Sequence, residues 1–312
     1  MNFNQKLGES AMRSAGLEPN LLAQYADKPN EFFSEIQNKV IAQYILVTLQ
    51  WQNPYTKHFK RQALEVGDGV EVLMTNPFQP VDYDESKFVP EIGIKKQDIK
   101  TQIIYTTDKK VFEYYLSRPI LTAAFSSLER LGAFIAEYTR QLQQSVEIWL
   151  WDKISKELGK ITNTITLPKD VSLQDAYLKL LITSNQMMNP SKDFNIDGSK
   201  WKLNATPKGR QLLITSPETE ANWRLNVLAS LYNIATLTPN ENFAEVIVTT
   251  NLTKNDYCYL VDTDAYYIDF RIEQTEVQSF SRNMTIYTAF HLWVRSDLLK
   301  NANGVKFQIA TK

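Results

Sequence analysis

Only one cysteine, Cys258, and two histidines, His58 and His291, occur in the 312 residues. A lone thiol excludes an intrachain disulfide, and so few soft ligands cannot build a thiolate cluster or a multi-histidine metal centre. Cys258 lies in the apolar run "YCYLV", where a buried, inert thiol is expected. Glycine is scarce as well, at ten residues, which argues against an architecture of glycine-rich phosphate loops. Neither a Walker loop nor a G-x-S-x-G elbow is present. No sign of charge prevails: 34 basic and 35 acidic residues leave a net charge of −1, so the basic footprint of a dedicated nucleic-acid binder is missing. The longest apolar run, "IAQYILVTLQW", is about half of the ~20 residues that span a bilayer. "MNFNQKLGES" lacks the charged-then-apolar start of an export signal. These absences point to a chain without membrane contact, made in a reducing cytoplasm.

What is present is an ordinary globular balance, 43% hydrophobic and 22% charged. Residues 1 to about 30 are polar and broken by Gly16, Pro19 and Pro29, and read as an extended arm with short helical pieces. Phe33, Ile36, Val40 and Tyr44 recur at helical spacing, so a helix is expected over 30–51, ended by Pro54. Two strand-like runs follow, "GVEVLMT" and "IKTQIIYTT". The long segment between them contains Pro77, Pro80, Pro90 and Gly93, and reads as the tip of a projecting two-stranded finger. After Pro119 an unbroken helical period runs from Leu121 to Leu158, about 38 residues and roughly 57 Å of helix. Ser172 with Asp175 resembles a capping box for a helix over 173–187. "RQLLITS" reads as a buried strand, and Ser216-Pro217 opens another helix. From 244 onward the chain is β-rich. In "MTIYTAFHLWV" Met284, Ile286, Phe290, Leu292 and Val294 share one face, with Tyr287, His291 and Trp293 on the other.

The sharpest catalytic-looking string is Asp262-Thr263-Asp264, within "YCYLVDTDAYYIDF". A D-x-D pair could hold the metal of a nucleotide-sugar glycosyltransferase, yet no nucleotide-binding βα unit precedes it. A calcium loop would need further oxygen ligands and a central glycine. The string reads instead as a turn between strands 256–261 and 265–271, since Asp side chains bond nearby backbone amides. Asp269, on the side of Tyr267 and Arg271, reads as half of a surface ion pair. Gly67-Asp68-Gly69 precedes a strand and reads as a tight turn at the base of the finger. His58, beside Lys60 and Arg61, reads as part of a solvated basic patch. His291 reads as a packed or interface histidine.

The order of arm, two-stranded finger, long helix, mixed α/β segment and closing antiparallel strands resembles that of the major capsid proteins of tailed bacteriophages. Three stretches carry the likeness: "GRQLLITSPETEANWRLNVLASLYN", "YLVDTDAYYIDFRIEQTEVQS" and "TIYTAFHLWVRSDLLKNANGVKF". The resemblance implies an α+β fold, a spine helix on an antiparallel sheet with a projecting extended loop and an axial domain. It implies an N-terminal arm over 1–55, extended loop and flanking strands over 56–118, spine helix over 119–160, axial domain over 161–243, and closing sheet over 244–312. The expected function is self-assembly into a virion capsid enclosing double-stranded DNA, without catalysis, cofactor or metal. Implied partners are pentamers and hexamers of the chain itself, a portal, and DNA held without sequence-specific contact. The short arm beginning at Met1 implies a separate scaffolding protein, or assembly without one. The apolar finger residues Val72, Met74, Phe78, Phe88, Val89 and Ile92 are the expected assembly interface. The alternatives are a glycosyltransferase using Asp262 and Asp264, and a nanocompartment shell protein of the same fold.

Overall fold

Two β-sheets and one long helix organise the chain in a computed structural model that describes residues 3–14, 16, 18–22, 53–61, 69–77, 99–224, 242–252, 255–280 and 285–310. The first sheet is antiparallel throughout. Its four strands are β1 (Gly69–Thr75), β2 (Ile99–Ser117), β7 (Tyr266–Phe280) and β8 (Thr285–Leu298), in the order β1-β2-β8-β7. The second is mixed. It contains β3 (Thr164–Leu167), β4 (Gln211–Thr215), β5 (Glu245–Val248), β6 (Asp256–Asp262) and β9 (Gly304–Ile309), in the order β3-β9-β6-β4-β5. The expected closing sheet over 244–312 is therefore divided: β7 and β8 join the finger strands, whereas β5, β6 and β9 pair with one another or with β3 and β4. Alternation reveals a strand but not its sheet, and the chain changes sheet between β6 and β7 and again between β8 and β9.

Six α-helices are described: α1 (Phe3–Ser14), α2 (Pro54–Phe59), α3 (Arg118–Ala124), α4 (Leu128–Leu158), α5 (Leu173–Met187) and α6 (Pro217–Asn222). The expected single rod is two helices. Ser126 Oγ donates to Ala123 O, and Ser127 Oγ accepts from Arg130 N. Paired serines satisfy the backbone locally and restart the helix at a new N-cap. The 31 residues of α4 make about 46 Å of helix. One face of it, including Leu131, Ile135, Tyr138, Leu142, Val146, Leu150 and Ile154, is buried. Tyr138 meets Tyr114 and Phe290 of the four-stranded sheet, and its hydroxyl pairs with Thr288 at 2.7 Å. The second core cluster lies under α5, where Tyr177 and Leu180 pack with Leu213, Leu260 and Phe307. The capping box is formed: Ser172 Oγ accepts from Asp175 N. Cys258 belongs to this cluster, and burial pushes its thiol well above the usual range, consistent with an inert side chain.

The first twelve described residues form a helix docked on the spine; short helical pieces were expected in an extended arm, and the docking was not. Two glycines allow the approach. A Cβ at Gly8 would lie 2.3 Å from Leu128 O, and one at Gly132 would lie 1.8 Å from Asn4 O. With both backbones that close, Ala11 and Met12 are buried in the main core cluster. The helix expected over 30–51 and the finger tip fall outside the described residues.

Gly132→Ala separates docking from helicity. Alanine favours a helix interior by about 1 kcal/mol over glycine, so the spine should keep its circular dichroism signal. The new methyl group should nevertheless displace α1, and limited trypsin digestion should cut at Lys6 or Arg13 several-fold faster than in wild type. An equally protected arm would show that the glycine contact does not hold α1.

Candidate functional site

Asp262, Thr263 and Asp264 form the turn by which the chain leaves the five-stranded sheet and enters the four-stranded one. Asp264 N donates to Asp262 Oδ1 at 2.9 Å and Ala265 N to Asp262 O, which is the turn chemistry the sequence suggests. Two arginines take up the carboxylates. Arg210 donates to Asp262 at 2.8 Å and to Asp264 at 2.6 Å, and Arg61 donates to Asp264 at 2.5 Å. Thr206 Oγ1 donates to the second oxygen of Asp262. Among the described residues no group of three His, Cys, Asp or Glu side chains could hold a metal. The two aspartates of the turn differ in burial: the Asp262 side chain is 1% exposed, against 49% for Asp264. Asp269 is also buried. It pairs with Arg295 at 2.8 Å and accepts from the Tyr267 hydroxyl at 2.7 Å, so it is not half of a surface pair. Strand alternation placed Tyr267 and Asp269 on one face but could not say that the core covers it.

His58 does not sit in a solvated basic patch. It is largely buried, with Nε2 2.7 Å from Glu245 Oε2, and Lys57 Nζ reaches the same oxygen at 2.5 Å. Lys60 lies over the Phe270 ring. Burial pushes the Glu245 carboxyl up, but the bonds from Lys57 and His58 outweigh that and lower its pKa below 4.5. Asp108 behaves likewise: burial raises its pKa, and the bond and charge of Lys153 bring it below 3.8. His291 is half-buried on the outer side of β8 with Tyr287 and Trp293, 3.4 Å from Glu276.

The finger stem is β1 paired with the first half of β2, Gly69 facing Tyr105 and Thr75 facing Ile99. Its inner face is built into the subunit. Gln102 donates to Asp297 and Leu298 O and accepts from Lys300 N, while Asn76 bonds the backbone of Trp201 and Leu203. Two of the expected interface residues are on that face. Met74 is buried and Val72 packs against the main core, so neither lacks a partner in its own chain. Phe78, Phe88, Val89 and Ile92 lie outside the described residues. On the opposite face are exposed apolar residues that the sequence reading did not single out: Leu73, Ile99, Ile103 and Tyr105 are 64%, 52%, 49% and 59% exposed. Period-two alternation separates the two sets, but nothing local says which set the body covers.

Two outcomes follow from this geometry. Asp262→Asn removes a charge-assisted bond in a buried place and should cost about 2 kcal/mol in urea unfolding, whereas Asp264→Asn should cost under about 1 kcal/mol. Equal costs would contradict their unequal burial. A carboxyl with a lowered folded pKa stabilises the fold above its unfolded value, and that contribution is lost as pH falls through the folded pKa. Thermal midpoints should therefore drop as pH falls below 4.5 for Glu245 and 3.8 for Asp108. Glu245→Gln should flatten the upper part of that decline; an unchanged acid profile would remove Glu245 from it.

The family model for Phi29-like phage major capsid proteins matches residues 16–308. Among solved structures, the chain is similar to the capsid of Staphylococcus phage Andhra, with TM-score 0.61 and 11% identity over 85% of this chain and 86% of that one. It is similar to the capsid of Cyanophage P-SCSP1u, with TM-score 0.58 and 9% identity over 86% and 91%. It is also similar to the capsid of an empty GTA particle, with TM-score 0.54 and 10% identity over 85% and 98%. Identities this low establish a shared fold. A search of curated proteins finds no match. None of these findings supports the glycosyltransferase alternative. Matched by the family model from the N-terminal region to the last strand, the chain belongs to the Phi29-like phage major capsid proteins, structural subunits of the virion shell.

Proposed function

We propose that this capsid subunit closes its shell by laying the outer face of the finger stem on a neighbouring copy, and that it does so without catalysis or cofactor. The exposed set Leu73, Ile99, Ile103 and Tyr105 supports this reading. Four large apolar side chains share one side of a two-stranded ribbon whose only charge there is Glu71. Contiguous apolar surface of this kind marks a contact site. Covering it would contribute on the order of 1 kcal/mol per side chain, too little to offset the entropy of one association step. Repetition around a closed shell, where each subunit both gives and receives the contact, makes the sum sufficient. Phe78, Phe88, Val89 and Ile92 of the finger tip extend the same proposed contact, and Met74 is removed from it by its burial.

The remaining partners come with the same reading. A portal, a separate scaffolding protein and packaged double-stranded DNA are proposed, the last without sequence-specific contact; a net charge of −1 gives the chain no overall basic footprint for nucleic acid. Synthesis in the cytoplasm of a bacterial host accompanies them. The four-stranded sheet with its spine is proposed as the peripheral part, and the five-stranded sheet with α5 as the axial part.

Leu73→Lys with Ile103→Lys tests the contact. Both side chains are exposed, so each change should alter folding stability by no more than about 0.5 kcal/mol, and circular dichroism should match wild type. Closed particles should be absent in negative stain under conditions where wild type assembles. Shells of normal yield and robustness would show that this face carries no assembly energy.

A further inference from the structure

The two sheets meet where the chain crosses between them, and a row of charges lies across that crossing. Leu299 N donates to Ala265 O and Asp262 N to Asn303 O, so the two crossing segments are bonded to each other. Asp262 belongs firmly to the five-stranded side. It is buried, and beyond the turn itself its partners Arg210 and Thr206 precede β4, with Asn303 Nδ2 donating to Thr206 in turn. Asp264 is different. Half exposed, it accepts from Arg210 on one oxygen and from Arg61 on the other. Arg61 rides on the four-stranded side, because its backbone N donates to Ile268 O of β7. One carboxylate thus ties a side chain carried by each sheet.

We infer that this row is the joint that sets the angle between the sheets, with Asp262–Arg210 as its fixed half and Asp264–Arg61 as its releasable half. The physical ground is the difference in burial. A buried, fully bonded carboxylate cannot give up its arginine without stranding a charge. A half-exposed pair is weak, screened by salt, and exchanges readily with water. A shell built from one chain with both five-fold and six-fold positions needs subunits that differ slightly in internal angle. A joint with one locked and one yielding ion pair allows small rotations without exposing the core. This inference rests on the shell-forming role and goes beyond it, because it assigns the adjustment to Asp264.

The test is made first on unassembled full-length subunit. Spin labels at Lys110→Cys on β2 and Lys179→Cys on α5 report the distance between the two sheets; Cys258 is buried and leaves the labelling selective. Wild type at low salt should give one narrow distance peak, and ~1 M salt should broaden it. Asp264→Asn and Arg61→Gln should broaden the peak at low salt already. Glu137→Gln, which removes an exposed pair confined to the spine helix, should not. In assembly, Asp264→Asn should give particles of at least two diameters where wild type gives one. A wild-type distance distribution in Asp264→Asn would overturn the joint, as would a thermal midpoint lowered as far as that of Asp262→Asn. Failure of wild type to close shells would count against the assembly role, and the label distances would still decide the joint.

Discussion

Everything larger in this subunit is arranged around α2, a helix of six residues. Asn53 caps it by accepting from Tyr55 N, and its amide donates to Glu147 O on the spine. Tyr55 packs against Trp151 of the spine, and Phe59 meets the edge of Tyr266 at the start of β7. Lys57 and His58 reach Glu245 at the start of β5. One and a half turns therefore touch the spine and both sheets. So short a helix has no stability of its own in water; it exists because Tyr55, Thr56 and Phe59 are buried. Trp151 of the spine also donates to Thr249, the residue after β5, and Ile247 of β5 lies in the main core cluster with the spine. Burial is tight enough there to push the Tyr55 hydroxyl up to about 12.

Charge in this subunit serves construction. Asp262 and Asp269, both buried, are each occupied by an arginine and by a hydroxyl. A carboxylate can be buried only when cations and donors replace the water it loses. Asp262, the last residue of β6, is tied to the segment before β4, and Asp269, near the start of β7, is tied to β8. Aromatic contacts perform the matching task inside. Tyr114, Tyr138 and Phe290 join the spine to its sheet through geometry that aliphatic side chains would not specify.

Local signals were legible wherever the physics is local. Ser172 and Ser216 cap the helices that their positions suggest, and the turn at Asp262 forms by bonds within three residues. Signals that need a partner were not. Periodicity continued across Ser126 and Ser127, so the helix break was hidden behind an apolar pattern that the next helix resumes. Gly8 and Gly132 carry no pattern at all, because their meaning is a distance between two helices more than a hundred residues apart. The finger shows the same limit at a single site, where Val72 and Met74, expected to lack a partner in their own chain, pack into the subunit and Leu73 faces outward.

By itself the sequence determined the element types, the absence of a thiolate or multi-histidine metal centre, and an order of elements that matches a capsid subunit. Those follow from composition and from periods of 2 and 3.6, which each residue imposes on its neighbours. Only the tertiary structure decided which sheet each late strand joins, that Asp262 and Asp269 are buried, and that Leu73, Ile99, Ile103 and Tyr105 face outward. Faces and partners are chosen by side chains distant in sequence, and a strand's alternation is identical whichever of its two faces the core covers.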